Sequence, residues 1–173
     1  MFSFHHDLIN ECDEQIRAEL AKLVNRAGTK GLSGKRPRRG RKHNDVRFDA
    51  RFPLLQALGV DLTKIEGIDV GTALVILAET AGDMSRFPSE KHFASWLGLC
   101  PRQHESNGTK RRTRRKGRHR VAIALRTAAR SVGRTTTPLG HFYRRIRSRI
   151  GGLGAVKATA HKLARLVYGA VKK

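Results

Sequence analysis

Residues 91–173 carry twenty-two Lys and Arg against a single acid, Glu105. Such a segment cannot neutralise itself through internal ion pairs. It can fold only by turning its cations outward and closing an apolar side within. The spacing permits this: Val121, Leu125, Ala128 and Val132 fall within about 60 degrees of one another on a helical wheel, with Arg120, Arg126, Arg130 and Arg134 on the other side. Val156, Ala160, Leu163, Val167 and Val171 repeat the pattern, with Lys162, Arg165 and Lys172 across from them. Solvated surface would account for any one such face. The excess as a whole implies a polyanionic partner.

Residues 1–90 are close to neutral, with fourteen basic and thirteen acidic residues. Three stretches are expected. In 1–27, Ile9, Cys12, Ile16, Leu20 and Leu23 recur at helical spacing and predict a connector helix, either a piece of a coiled coil or a helix docking on the rest of the chain. Residues 28–45 hold the basic, Gly-containing run from Lys30 to Lys42, which has no hydrophobic period and reads as a flexible arm. Residues 46–173 read as one helical domain, so the fold class is all-α. Its helices are predicted at 47–58, stopped by Gly59; up to about Ala81; at 90–97 after an N-capping Ser89; and around 121–132. Two more run from Pro138 to Ile150, ended by Gly151 and Gly152, and on to Val171.

Several classes are excluded. The longest strictly apolar stretch, Ala73 to Ala78, is far short of the roughly 18 residues of a membrane span. Acids precede the first Arg17, the reverse of a secretory leader. Two cysteines, Cys12 and Cys100, cannot build a disulfide framework or a Cys-rich zinc site, which makes a reducing cytoplasm the expected compartment. The eight histidines show no paired-ligand spacing, so no metal is expected to be held by this chain. Tyr143 and Tyr168 sit in periodic amphipathic stretches and read as packing or phosphate-touching residues. Cys100, between Leu99 and Pro101, reads as buried rather than reactive.

Two segments carry chemistry. Ile65-Glu-Gly-Ile-Asp-Val-Gly-Thr-Ala73 has the form of a helix-hairpin-helix turn. Gly67 would permit the tight turn, and backbone N–H groups near Gly71 and Thr72 could meet a phosphate oxygen. An ordinary core connection fits the same residues, and Asp69 near the tip would repel phosphate. The loop between Trp96 and Val121 holds nine cations: Arg102, Lys110, Arg111, Arg112, Arg114, Arg115, Lys116, Arg118 and Arg120. Within it Ser106 precedes Asn107-Gly108, a turn that can expose a hydroxyl. Guanidinium groups would stabilise the charge that develops when a serine attacks a phosphodiester. On chemistry alone, such a serine is more often a turn residue.

The blocks Ile65 to Ala73, Arg86-Phe-Pro-Ser-Glu-Lys-His-Phe-Ala-Ser-Trp-Leu-Gly-Leu-Cys-Pro101, Glu105-Ser-Asn-Gly108, Ala124-Leu-Arg-Thr-Ala-Ala129, His141-Phe-Tyr-Arg-Arg145 and Ala160-His-Lys-Leu-Ala-Arg-Leu-Val-Tyr168 occur in that order. Together they resemble the C-terminal domain of the "IS one-ten" (IS one-sixteen / nine-oh-two) family of bacterial insertion-sequence transposases. The resemblance implies a mobile-element recombinase that binds DNA and a bridge RNA guide and exchanges DNA strands through a serine, here Ser106. It further implies a RuvC-like domain with a DEDD carboxylate set for Mg²⁺. No such domain is legible in this sequence, so the carboxylates would come from a separately encoded partner, and a homo-oligomer is expected. Asn107 stands where many relatives have Gly or Ala. The other reading is a catalytically silent nucleic-acid-binding remnant or module.

Overall fold

The computed structural model describes residues 2–28, 31–32, 45–100, 105–106, 109–110 and 119–172, with backbone alone at 2, 3, 105, 106, 109 and 110. Among these the fold is all-helical, with six α-helices, one 3-10 turn and a single pair of two-residue strands. The chain divides into two compact units, Met1–Asp83 and Met84–Lys173.

In the first unit, α1 (Phe2–Lys22) is followed by α2 (Arg51–Leu58), the 3-10 turn Leu62–Lys64 and α3 (Val70–Thr80). Of the predicted α1 stripe only Leu20 is buried, while Ile9, Cys12, Ile16 and Leu23 are exposed. The segment after α1 turns back onto α2: the Arg26 N–H donates to the Gln56 carbonyl at 2.7 Å, and the Arg26 guanidinium reaches the Gly82 carbonyl. The second helix starts four residues later than the periodicity suggests. The Arg47 N–H is committed to the Asp13 carboxylate on α1 at 2.8 Å, and Asp49 accepts from the Arg51 N–H at the helix start. Gly59 closes α2 in the left-handed conformation, as its sequence position implies.

The second unit is built from α4 (Glu90–Trp96), the paired strands β1 (Glu105–Ser106) and β2 (Thr109–Lys110), α5 (Arg120–Val132) and α6 (Pro138–Val171). The long helix packs along α5 and across α4. The inward faces are those the spacing indicates: Val121, Leu125, Ala128 and Val132 of α5 are buried, as are Val156, Ala160, Leu163 and Val167 of α6. Arg120, Arg130, Arg134, Lys162, Arg165 and Lys172 are exposed, and Arg126 is half-buried. Thr137 caps α6 by accepting the Gly140 N–H, with Pro138 in the first turn. At Gly151 the helix breaks: φ 79° and ψ 173° are open to glycine and strained for any other residue, so α6 is two helical halves joined at an elbow.

Aromatic packing seats α4 on α6. Phe93, fully buried, stacks near Trp96 and Tyr168, and Phe87 meets Phe93 edge-on with ring centroids 5.1 Å apart. The Tyr143 ring lies against Gly133, where a Cβ would come within 2.6 Å of ring atoms. Both tyrosines therefore serve packing. Cys100 is half-buried rather than buried, its Sγ 3.9 Å from the Lys91 carbonyl, because Gly98–Cys100 border an open groove.

Candidate nucleic-acid interface

The hairpin of the first unit is assembled around two carboxylates. Asp61 caps the 3-10 turn by accepting from the Thr63 N–H at 3.0 Å, and it receives the buried Arg51 guanidinium at 2.6 Å. Burial alone would raise the Asp61 carboxyl, but hydrogen bonds from Arg51 and Thr63 and the Arg51 charge outweigh it and hold the group below the ordinary carboxylate range. Ile68 is buried, and Gly67 makes the turn at φ 84°, in the left-handed region. Asp69 is the N-cap of α3: its carboxylate accepts from the Thr72 N–H at 2.9 Å and from the Thr72 hydroxyl at 2.7 Å. One of the N–H groups expected to meet phosphate is thus engaged by a side chain of the same turn. The N–H groups of Val70 and Gly71 belong to the first helical turn, which supplies no intrahelical acceptor for them.

In the second unit β1 and β2 pair antiparallel, Ser106 opposite Thr109 and Glu105 opposite Lys110. Ser106 is therefore the last residue of β1. In the sequence Asn107-Gly108 reads as a turn in a long basic loop with no strands expected beside it, although Asn-Gly is a favoured hairpin turn. Lys110 lies in β2, and the register sets it across from the one acid of residues 91–173. Arg102, Arg111, Arg112, Arg114, Arg115, Lys116 and Arg118 lie outside the described residues, as does most of the basic arm expected at 28–45. Arg120 opens α5 and is exposed; the preceding His119 packs its ring 4.5 Å from that of Trp96.

Sequence reasoning missed a groove of about 1000 Å³ in the second unit. Arg126 of α5 and Lys157, His161, Lys162 and Arg165 of α6 line it, with Glu90 of α4. Leu99, Phe142, Ile150 and Leu166 supply apolar walls. Lys157, His161 and Arg165 recur every fourth residue, a helical stripe that could have revealed it. Arg165 donates from Nε to Glu90 at 2.7 Å, and the pairing raises the Arg165 pKa. Lys162 sits 4.4 Å from the centre of the Phe142 ring. His161 is held below its ordinary value by burial and by the Arg165 charge, against an opposing pull from Glu90. Burial and the Arg165 charge thus favour its neutral form.

Among the described residues no three of His, Cys, Asp or Glu converge as metal ligands, and no helix is long and apolar enough to cross a membrane. Residues 61–144 match the model of the Transposase IS116/IS110/IS902 family. A "Probable family 20 transposase" of Pseudomonas aeruginosa is 42% identical over 66 residues, which are 38% of this chain and 17% of that protein. The chain thus matches under a fifth of that relative's length. No solved structure matches it.

Proposed function

We propose that this chain, whose residues 61–144 carry the sequence of the Transposase IS116/IS110/IS902 family, binds DNA through separate contacts in its two units and presents Ser106 as a strand-exchange nucleophile. The observation that supports this most is the span of the match. It takes in Gly67, Gly71 and Thr72, then Ser106, then all nine cations from Arg102 to Arg120. The hairpin N–H groups and the loop cations hold phosphates and read no bases. Sequence choice falls to a guide RNA.

In the chemical step the Ser106 hydroxyl loses its proton and its oxygen bonds to phosphorus. The bridging P–O bond of the DNA breaks, and the departing oxygen takes up a proton. A phosphoserine ester and a DNA hydroxyl result, with loop guanidinium groups offsetting charge on the phosphorus oxygens. Steps that need Mg²⁺ would draw on DEDD carboxylates supplied by another chain.

The test combines the chain with a DEDD-domain protein, guide RNA and labelled target DNA, and looks for a covalent protein–DNA adduct on a denaturing gel. The parent should form it and Ser106→Ala should not, at equal DNA affinity. An equal adduct from Ser106→Ala removes the nucleophile role. A parent that binds DNA but forms no adduct supports the silent-module reading.

A further inference from the structure

The elbow at Gly151 presents the most exposed large apolar side chains of the second unit. Ile150 is 63% exposed and Leu153 is 77% exposed, one on each side of the break. The two residues flank the break between the two halves of α6, and Ile150 also borders the groove of the second unit. The elbow also shapes its own tip. A Cβ on Gly154 would meet the Ile150 side chain at 2.7 Å, so glycine there lets Ile150 lie across the break. At Gly151 and Gly152 a Cβ would meet nothing within 4 Å, so the backbone of the tip is open to close approach from outside.

The charge around this tip selects its occupant. Arg147 and Arg149 are exposed just ahead of it, and residues 138–173 hold nine Lys and Arg and no acid. A second copy of this helix docking here would set arginine against arginine, and an apolar protein face would leave those cations desolvated and unpaired. A polyanion with apolar surface between its charges satisfies both parts. We propose that the elbow is a wedge for duplex DNA: Arg147 and Arg149 bind flanking phosphates, while Ile150 and Leu153 enter between two base pairs and unstack them. Flexible pyrimidine–purine steps are the preferred place, since they unstack at least cost. The wedge depends on DNA binding by this chain. It adds a way of opening the duplex where a guide strand could begin to pair.

The test uses the full chain and a duplex of about 25 base pairs with 2-aminopurine at one TA step. Affinity is read by anisotropy and unstacking by 2-aminopurine fluorescence. The parent should raise the fluorescence severalfold. Ile150→Ala/Leu153→Ala should return it close to that of DNA alone while affinity changes by less than about fivefold. Leu153→Ala alone, at the more exposed residue, should give a partial loss and guards against a folding defect. Arg147→Gln/Arg149→Gln should weaken binding and reduce the salt slope by about 2. Binding by the parent without a fluorescence change overturns the wedge but leaves DNA binding intact, as does full unstacking by the double alanine variant. A response to duplex RNA alone overturns the assignment to DNA. If the parent binds no DNA at all, the wedge and the DNA-binding reading fall together.

Discussion

Tyr168 donates its phenolic hydrogen to the Phe87 carbonyl at 2.8 Å and accepts from the Lys172 ammonium at 2.7 Å. The hydroxyl that would have to serve a tyrosine recombinase is therefore spent on joining the end of α6 to the segment entering α4. Tyr168→Phe keeps the ring packing on Phe93 and removes a donor from a buried carbonyl. It should cost about 1–3 kcal/mol in urea unfolding, the range for leaving one buried polar group without its partner. Adduct formation, scored under conditions where the variant is folded, should be unchanged.

Arg51 and Asp61 form the buried ion pair of the first unit, both nearly inaccessible to solvent. Removing one partner strands the other charge, so Arg51→Met should destabilise by about 3–5 kcal/mol. The double variant Arg51→Met/Asp61→Leu should recover part of that loss. A double variant no more stable than Arg51→Met alone would show that Asp61 is held mainly by Thr63.

Acid should act on the two units in different pH windows. His161 has a folded pKa below its unfolded value, so the unfolded chain binds the extra proton first. Stability tied to His161 is present above about pH 6.5 and declines as pH falls through the lower, folded value. Asp61 is also depressed in the folded state, and its contribution is present above about pH 4 and lost as pH falls further. Unfolding followed by the Trp96 fluorescence, which reports the second unit, should soften first. His161→Leu should remove the upper window and leave the lower one.

Phosphate contacts by the loop should make DNA binding steeply salt-dependent, with log affinity falling against log salt at a slope of about −5 if six cations meet phosphates. A slope near zero, measured by anisotropy from low to physiological salt, would contradict an electrostatic interface.

Asp69 holds α3 by its N-terminus yet places a negative charge where the hairpin would approach phosphate. Asn caps helices about as well as Asp, so Asp69→Asn should leave the melting temperature within a few degrees and tighten DNA binding severalfold at low salt. Asp69→Ala should tighten binding too but cost about 1 kcal/mol of stability. If Asp69→Asn leaves affinity untouched, the hairpin is a core connection and not a DNA contact.

Much of the second unit was legible because its apolar positions obey the helical period so strictly. Val121 to Val132 and Val156 to Val167 could close in only one way, and Gly151 announced the break in α6. The start of α2 was not legible, since the Arg47 N–H is taken by Asp13, a residue thirty-four positions earlier that no local pattern points to. The groove escaped for the same reason: Glu90 meets Arg165 across seventy-five residues, and a periodic count treats each helix alone. The strand pair at Ser106 was not legible either: Asn107-Gly108 marks a turn, but the polar and cationic residues around it show no alternation. Where the hairpin was read as a phosphate site, the sequence did show Asp69, although its bond to the Thr72 N–H is a matter of geometry.

The outward arginine face of α5 has a thermodynamic side as well. With Arg120, Arg130 and Arg134 all at the surface of a unit nearly devoid of acids, the folded state concentrates charge that the unfolded chain spreads out. Mobile salt relieves that crowding and should firm the fold, even as it would loosen the proposed grip on DNA. A bound polyanion does the same work more strongly, because whatever binds the native form in preference to the unfolded one adds its binding free energy to folding. Under the proposed function a bound nucleic acid would act as a structural counter-ion of this unit, which should then be sturdiest when occupied.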